Sequence, residues 1–247
     1  MAEWSLSRSR QPELMDDPAL PAADHLEALA ALATINAISG TANRLVTGVR
    51  DVLADRRPAG PLRVVDVACG GGDVTLALAR RLRRAWPGTE VVVTGIDLSP
   101  RAIDRARALA ASRAIGDVAF EVCDVLREGC PPCDVTVNSL FLHHLDDPEA
   151  RDLLAALARR AAAGVVVSDL VRSRTGLVLA RLGTQVLSGS RVARIDGPLS
   201  VRAARTPAEY ERLFAAAGLT PVSIRRVWPE RVICSWSRSA PIDGAAA

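Results

Sequence analysis

Lysine is absent from this chain of 247 residues, so all 31 basic residues are arginine, and the net charge is only +3. So small an excess of positive charge does not indicate the basic surface of a nucleic-acid-binding protein. Aromatic residues make up 3% of the chain, with one tyrosine, which leaves few side chains on which bases could stack. The composition therefore argues against a DNA or RNA partner.

Long apolar runs are also missing. The chain has no stretch of about 18 apolar residues and no secretory signal pattern at its start, so we expect no membrane span and a cytoplasmic location. Its five cysteines are scattered and odd in number, which suits a reducing compartment. Cys130 and Cys133 have the spacing of a zinc or redox pair, but no second pair of ligands accompanies them.

A strand that runs into a glycine turn and then a helix is the most informative motif, because residues 64–75 read VVDVACGGGDVT. Such a turn brings the backbone close to a ligand and points free N–H groups at it. The dinucleotide pattern G-x-G-x-x-G would need glycine where Thr75 stands. Asp73 also places a negative charge where a pyrophosphate would lie. The turn therefore favours a cationic nucleotide-like ligand, such as S-adenosylmethionine, over NAD.

Polar residues also end the next three strands. A second buried strand, residues 90–97, ends at Asp97, a third ends at Asp124 and a fourth at Asn138. A carboxylate at the end of a second parallel strand can accept the hydroxyls of a ribose. Since ligands of open α/β sheets bind outside the carboxyl ends of the strands, these residues predict one binding edge.

These motifs resemble those of the class I S-adenosylmethionine-dependent methyltransferases. The resemblance covers roughly residues 62–167. It is carried by residues 66–72, 95–99, 123–125 and 142–145. It implies an α/β fold, namely a Rossmann-like, doubly wound, mostly parallel seven-stranded sheet with an antiparallel C-terminal hairpin. The family usually has glycine where this chain has Ala68, so we expect the backbone there to avoid a φ that only glycine tolerates.

The resemblance also implies a binding site for S-adenosyl-L-methionine, whose product would be S-adenosyl-L-homocysteine. Asp97 would accept the ribose hydroxyls, Asp124 and Val125 would bind the adenine, and Arg44 would cover the methionine carboxylate. Asn138 would offer its backbone carbonyl to the methionine ammonium, and Asp66 would accept N–H bonds of the glycine turn, either facing the ammonium through water or as a purely structural acceptor. The expected cofactor-binding residues are Asp66, Ala68, Cys69, Gly70, Gly72, Asp97, Leu98, Asp124, Val125, Asn138 and Arg44.

His143 and His144 follow the fourth strand and are the candidate catalytic residues. Positioning alone can supply much of the rate of methyl transfer, but a hydroxyl acceptor needs a base, and histidine has a suitable pKa. Because the family often carries His-His here without a known proton transfer, a structural role stays open for both, and we favour His143. We expect no metal, since Asn138 stands where a metal-binding carboxylate would be needed and Asp169 has no visible partner.

Helical patterns flank the first strand. Residues 25–38 and 44–53 have helical spacing and follow an irregular lead-in of residues 1–22. We expect residues 1–58 to form an N-terminal helical cap and residues 59–247 to form the methyltransferase-like domain.

A long interruption follows the fifth strand, residues 164–168. About residues 170–205 exceed an ordinary connection and predict an inserted lid over the substrate pocket, helical over residues 176–187 and loop-like over residues 188–200. The lid is rich in arginine, which suits an anionic or phenolic acceptor better than a cationic amine.

These patterns together predict transfer of a methyl group to a small-molecule acceptor, most readily to oxygen of a phenolic, polyketide-like or quinone-like compound. Methylation of carbon or nitrogen stays open as an alternative, and so does a binding module without transfer activity. An NAD(P)-dependent oxidoreductase is disfavoured by Thr75 and Asp73. The sequence leaves the acceptor undefined and leaves monomer and homodimer open.

Overall fold

A seven-stranded sheet forms the centre of this computed structural model, which describes residues 6–17, 19–54 and 60–238. The strands are β1 (Leu62–Val67), β2 (Val91–Asp97), β3 (Val118–Val122), β4 (Cys133–Ser139), β5 (Ala161–Leu170), β6 (Val222–Val227) and β7 (Arg231–Ser237). Their order across the sheet is β3-β2-β1-β4-β5-β7-β6, and β7 runs antiparallel to β5 and β6. The predicted mostly parallel sheet with a C-terminal hairpin is therefore confirmed.

Helices cover both faces of the sheet. They are α1 (Ala22–Ser39), α2 (Thr41–Leu53), α3 (Asp73–Ala85), α4 (Pro100–Ser112), α5 (Asp147–Arg160), α6 (Arg174–Leu187), α7 (Arg191–Ala203) and α8 (Pro207–Ala216). One apolar cluster joins α2, α3 and α4 to the sheet, and a second joins α5 and α8 to the opposite face. The inner strands are rich in buried valine because both of their faces are covered.

The helix starts follow from local sequence. The hydroxyl of Thr206 accepts the N–H of Glu209, and the carboxylate of Glu209 accepts the N–H of Thr206, so the two residues form a capping box at the start of α8. Asp146 and Glu149 form a second capping box at the start of α5. These boxes fix the points at which the chain leaves the carboxyl edge of the sheet.

Helix α2 packs against the sheet itself, since Leu45, Val49 and Val52 belong to the core cluster on that face. A Cβ on Gly48 would lie 2.3 Å from a methyl carbon of Val166, so the helix approaches β5 very closely. In contrast, α1 packs against α6 and α7 beyond the carboxyl edge of the sheet. The predicted domain boundary near residue 58 falls among residues 55–59, outside the described residues.

The region after β5 that was predicted to be an inserted lid has the expected helix in its first half but not the expected loop in its second half. The helix predicted over residues 176–187 is present as α6, but the loop predicted over residues 188–200 is wrong, because α7 occupies Arg191–Ala203. The side chain of Ser190 caps α7, and Pro198 lies inside it. Val192 and Val201 are buried, so packing of the helix outweighs the breaking tendency of Gly197 and Pro198.

Residues 6–17 form an irregular segment with one 3-10 turn, Leu14–Asp16. The lead-in was expected to be irregular, but its position was not predicted. It lies across the carboxyl edge of the sheet, where Asp196 of α7 accepts the backbone N–H groups of Leu14 and Met15 at 2.9 and 3.0 Å. None of the helices in the described part of the chain combines the length and apolar character needed to cross a bilayer.

Candidate functional site

The glycine turn after β1 leaves an open face at the carboxyl edge of the sheet. A Cβ on Gly70 would meet nothing within 4 Å, whereas one on Gly72 would lie 2.7 Å from Ala106. Gly72 therefore permits close packing on α4, and Gly70 borders free space. Ala68 has a φ of 57°, so the expectation that its backbone avoids the left-handed region is wrong. A non-glycine residue there carries strain of about 1 kcal/mol, which the surrounding turn must hold in place.

Asp97, at the end of β2, holds the turn in position. Its carboxylate accepts the N–H of Gly70 at 2.8 Å and that of Ser99 at 2.9 Å. Burial raises the pKa of Asp97 even though both N–H bonds favour the charged form. The carboxylate thus lies beside the open face of the turn, where a sugar hydroxyl could reach it.

Asp66 lies beneath the turn and is only 1% exposed. One of its oxygens accepts the hydroxyl of Thr75 at 2.6 Å, and the other oxygen is buried without a hydrogen-bond partner in the described structure. Burial raises the pKa of Asp66 to about 7, and the nearby charges of Asp73 and Asp97 add to this effect. Three carboxylates therefore surround the turn and favour a cationic ligand there.

Side chains at the ends of β3 and β4 have local partners. The carboxylate of Asp124 accepts the N–H of Leu126 at 3.1 Å, so it caps its own turn, and Val125 packs on the core cluster at β4. Asn138 is fully buried and donates its side-chain N–H to the carbonyl of Val67 at 2.7 Å, which ties β4 to β1.

Two other predicted residues differ in exposure. Leu98 is exposed at the same edge of the sheet, whereas Cys69 is buried and burial raises the pKa of its thiol. Cys69 can therefore bind a ligand only through its backbone, while Leu98 can present its side chain.

Arg44 of α2 reaches the hairpin between β6 and β7. Its Nη2 donates to the backbone carbonyl of Trp228, and its Nη1 is buried without a partner in the described structure. Arg44 thus places one unsatisfied guanidinium nitrogen near the carboxyl edge of the sheet.

His143 and Asp169 form a buried pair. His143 is 3% exposed, and its Nδ1 lies 2.7 Å from the Asp169 carboxylate, which also accepts the backbone N–H of His143 at 3.1 Å. Burial would raise the pKa of Asp169, but the charge and hydrogen bond of His143 outweigh it and lower that pKa. Because an ionised carboxylate only accepts, Nδ1 carries a proton, and Nε2 is the ring nitrogen that Asp169 leaves available. The expectation that Asp169 has no partner is wrong.

His144 forms a second, more exposed pair. Its Nδ1 lies 3.2 Å from the carboxylate of Asp16, and its ring centroid is 4.3 Å from that of His143. Burial would lower the pKa of His144, but the hydrogen bond to Asp16 and the charges of Glu13 and Asp16 raise it. Both imidazoles are therefore held by carboxylates on their Nδ1 side.

Glu13, from the N-terminal segment, covers the Nε2 side of both rings. Its carboxylate oxygens lie 4.0 Å from Nε2 of His143 and 3.9 Å from Nε2 of His144, and Ser200 donates to it at 2.7 Å. These three residues offer ligand atoms within 4.8 Å of one another, so a cation could be held there. At the observed distances the oxygen of a hydroxyl could lie between Glu13 and an imidazole and donate its one proton to either of them.

Curated relatives match most of the chain. An acetylserotonin O-methyltransferase from Gallus gallus is 29% identical over 181 residues, which are 72% of this chain and 48% of the relative. A trans-aconitate 2-methyltransferase from Streptomyces coelicolor is 33% identical over 168 residues, 66% of this chain and 52% of the relative. The chain therefore spans about half the length of these relatives.

Solved structures share the fold. Human N-acetylserotonin methyltransferase in complex with SAM superimposes with a TM-score of 0.62 at 16% identity, covering 88% of this chain and 57% of that one. Magnesium protoporphyrin IX methyltransferase from Synechocystis with bound SAH gives a TM-score of 0.55 at 19% identity, covering 83% and 87%. At such identities these structures show the fold alone.

The profile of the methyltransferase domain family matches residues 64–164, which run from β1 to β5 and include the glycine turn, Asp97 and both histidines. Residues 64–164 therefore match a methyltransferase domain, and S-adenosylmethionine-dependent methyltransferases are the proteins that this chain resembles in sequence and in fold. The site fits a cationic donor of the kind that such enzymes use, since Asp66 keeps one buried oxygen without a hydrogen-bond partner among the described residues and Gly70 borders free space.

The structure brings the predicted site residues to one edge of the sheet, on two sides. The glycine turn, Asp97 and Asn138 lie on the β1–β2–β4 side, and the histidines lie toward β5. Sequence patterns missed Glu13, Asp16 and Asp169, all of which contact the histidines. The acidic end of β5 was the one available signal for Asp169. Glu13 and Asp16 lie in a segment without periodicity, so no local pattern indicates them.

Proposed function

We propose that this methyltransferase moves the methyl group of S-adenosylmethionine to a hydroxyl oxygen of a small phenolic, polyketide-like or quinone-like acceptor. The observation that carries the proposal is the buried pair of His143 and Asp169, 2.7 Å apart, next to the donor side of the sheet. The names of related acetylserotonin and ubiquinone-biosynthesis O-methyltransferases support an oxygen acceptor. The activity of the whole protein stays a proposal, because the relatives are about twice as long.

The residues around the glycine turn would bind the methyl donor. Bound S-adenosylmethionine supplies a methyl carbon that is already activated by the sulfonium. Asp97 would bind the ribose hydroxyls, and Asp66 and Asp73 would balance the positive charge of the donor. Leu98, Asp124 and Val125 would bind the adenine, and Asn138 and Arg44 the methionine end.

On the acceptor side, Nε2 of His143 would take the hydroxyl proton as the oxygen becomes the nucleophile. Asp169 fixes the tautomer and stabilises the imidazolium that forms. His144, held by the exposed Asp16, would position the acceptor beside it. We propose no metal role at Glu13 and the two histidines, and chelation by EDTA should leave transfer unchanged.

Methyl transfer from labelled S-adenosylmethionine to a panel of phenols, quinols, carboxylates and amines tests this function. We expect labelled O-methyl products from the phenols or quinols, identified by mass spectrometry. Label on amines alone, or on carbon, would replace the oxygen assignment with the corresponding alternative.

The base is tested by His143→Gln and Asp169→Asn, each of which should lower kcat by about a hundredfold. Binding of S-adenosylhomocysteine by calorimetry should stay within about threefold of wild type, which shows that the fold is intact. His144→Gln is the matched comparison and should lower kcat less than His143→Gln does. Wild-type kcat in His143→Gln would remove His143 as the base.

A further inference from the structure

Arg231, the first residue of β7, is buried without a counter-ion. It is 6% exposed, and its Nε and Nη1 atoms are buried with no hydrogen-bond partner among the described residues. Burial lowers the pKa of Arg231 to about 10, and the neighbouring charge of Arg44 acts in the same direction, while that of Asp169 opposes it. A guanidinium in such surroundings is destabilising unless an anion meets it.

Arg172 and Arg205, the other two buried arginines among the described residues, donate from all three guanidinium nitrogens. Arg205 donates to the carboxylate of Asp147 at 2.7 Å and to the backbone carbonyls of Leu142 and Leu145. Arg172 donates to the carboxylate of Glu209 at 2.7 Å and to two backbone carbonyls. The packing of this protein therefore can satisfy a buried guanidinium, and Arg231 is an exception.

A second unsatisfied guanidinium lies close to Arg231. Residues two apart on a strand share a face, so Arg231 lies on the same face of β7 as Ile233, which packs in the cluster that contains α2. Arg44 of α2 donates to the carbonyl of Trp228, three residues before Arg231, and keeps a buried Nη1 without a partner. Free donors from two arginines thus lie near the start of β7 on the face that α2 covers, close enough for the charge of Arg44 to lower the pKa of Arg231.

The position of these donors relates them to the proposed chemistry. Arg231 pairs with Leu170 in the β5–β7 register, so it lies next to Asp169 at the carboxyl edge of the sheet. No carboxylate among the described residues forms an ion pair with it. Planar guanidinium groups bind carboxylates through parallel N–H bonds, which suits a small acid that enters from this edge.

We propose that Arg231, together with Arg44, forms a carboxylate-binding site at the ends of β5 and β7, occupied by an acid group of one of the two substrates. This inference rests on the proposed function, because both sources of the carboxylate belong to that reaction. One source is the methionine part of the donor, and the other is an acid group on the methyl acceptor.

Thermal unfolding of the ligand-free protein tests whether Arg231 lacks an internal partner. Arg231→Met replaces the charge with an apolar chain of similar length and should leave the midpoint of unfolding equal to or above that of wild type. Arg205→Met is the matched control and should lower the midpoint, since it removes the four hydrogen bonds that this buried guanidinium donates to Asp147 and to the carbonyls of Leu142 and Leu145. A drop in Arg231→Met as large as that in Arg205→Met would overturn the proposal.

Calorimetry then separates the two carboxylates. S-Adenosylhomocysteine is compared with 5′-methylthioadenosine, which lacks the amino acid part, and salicylate is compared with phenol on protein saturated with S-adenosylhomocysteine. We expect Arg231→Met to weaken binding of S-adenosylhomocysteine or of salicylate by at least about tenfold, and Arg231→Lys to restore part of it. The uncharged partner of that ligand, methylthioadenosine or phenol, should bind both variants as it binds wild type.

Loss of S-adenosylhomocysteine binding assigns the site to the donor, and loss of salicylate binding assigns it to the acceptor. The proposal would be overturned if Arg231→Met bound both S-adenosylhomocysteine and salicylate with the affinity of wild type. It would also be overturned if salicylate bound wild type no better than phenol and the substitution left the affinity for S-adenosylhomocysteine unchanged. Wild-type protein that binds no S-adenosylhomocysteine would instead contradict the proposed function, so the two failures are distinguishable.

Discussion

Buried carboxylates decide the chemistry of this site at the scale of single residues. Asp66, Asp73 and Asp97 surround the glycine turn, and burial raises the pKa of each of them. In the free protein such charges are destabilising, because burial removes their water, and the nearby charge of Arg105 offsets this effect only in part at Asp73. A ligand that carries a positive sulfonium and ammonium would remove that penalty when it binds.

The effect of Asp66 on stability depends on pH in a predictable direction. Its pKa rises from 3.8 in the unfolded chain to about 7 in the folded protein, so the folded state binds more protons between those values. The free energy of unfolding should therefore decrease as the pH rises from about 4 to about 7, by on the order of 4 kcal/mol at most.

Asp66→Asn should remove this dependence. The free energy of unfolding of the variant should therefore increase relative to that of wild type as the pH rises. Urea unfolding of both proteins at several pH values measures the difference, and the exposed Asp104→Asn on α4 serves as the control. A difference between Asp66→Asn and wild type that stays constant over this range would contradict the prediction.

Local pattern indicated the donor side of the site but not the acceptor side. Gly70 and Asp97 could be predicted because each lies in a short stretch of consecutive residues in which a strand ends, a turn follows and a helix begins. The partners of the histidines could not, since Glu13 precedes His143 by 130 positions and is brought there by the whole fold. Arg231 was missed for the same reason, because burial without a counter-ion has no signature in sequence.

At the scale of elements, tertiary packing decides how a glycine in a helix is tolerated, and it explains why the loop predicted over residues 188–200 was wrong. The helices α2 and α6 each contain a central glycine, Gly48 and Gly183, in different surroundings. A Cβ on Gly48 would lie 2.3 Å from Val166, whereas one on Gly183 would meet nothing within 4 Å. In α7, buried side chains likewise outweigh Gly197 and Pro198, which is why sequence propensity alone predicted a loop.

The two glycines form a matched pair for stability measurements. Gly183→Ala should stabilise the protein by about 0.5 to 1 kcal/mol, because alanine is the better helix former. Gly48→Ala should instead destabilise it by about 1 to 3 kcal/mol, since the added methyl group forces α2 away from β5. Urea unfolding checks both values, and a stabilising Gly48→Ala would show that α2 can shift without loss.

At the scale of the whole molecule, the alternation of strands and helices indicated a parallel sheet, and the resemblance of the motifs to a known family implied its seven strands and its hairpin. Parallel strands joined by crossover helices place all their carboxyl ends at one edge, so residues far apart in sequence had to meet there. The order of the sheet then separates the proposed donor side at β1, β2 and β4 from the proposed acceptor side toward β5. What the alternation could not predict is the third layer of α1, α6, α7 and residues 6–17.

Donor binding should stabilise the whole fold by mass action. S-Adenosylhomocysteine at about 1,000 times its Kd should add about 4 kcal/mol, a rise in the melting temperature of roughly 10 °C. Asp97→Ala should weaken binding by about a hundredfold, so the same concentration would add only about 1.4 kcal/mol. Scanning calorimetry measures both, with the exposed Asp104→Ala as control. An equal rise in Asp97→Ala would show that this carboxylate does not bind the donor.

Residues 6–17 contact parts of the chain that are made much later. Arg8 donates to the carbonyl of Ala203, 195 positions away, and Arg172 donates to the carbonyl of Leu6. On a ribosome, β1 to β4 can pair before α7 is synthesised. Residues 6–17, which emerge first, can form their contacts only after α7 has also emerged. The segment that covers the two imidazoles is therefore completed late in translation, and a nascent chain can form its glycine turn before this segment has its partners.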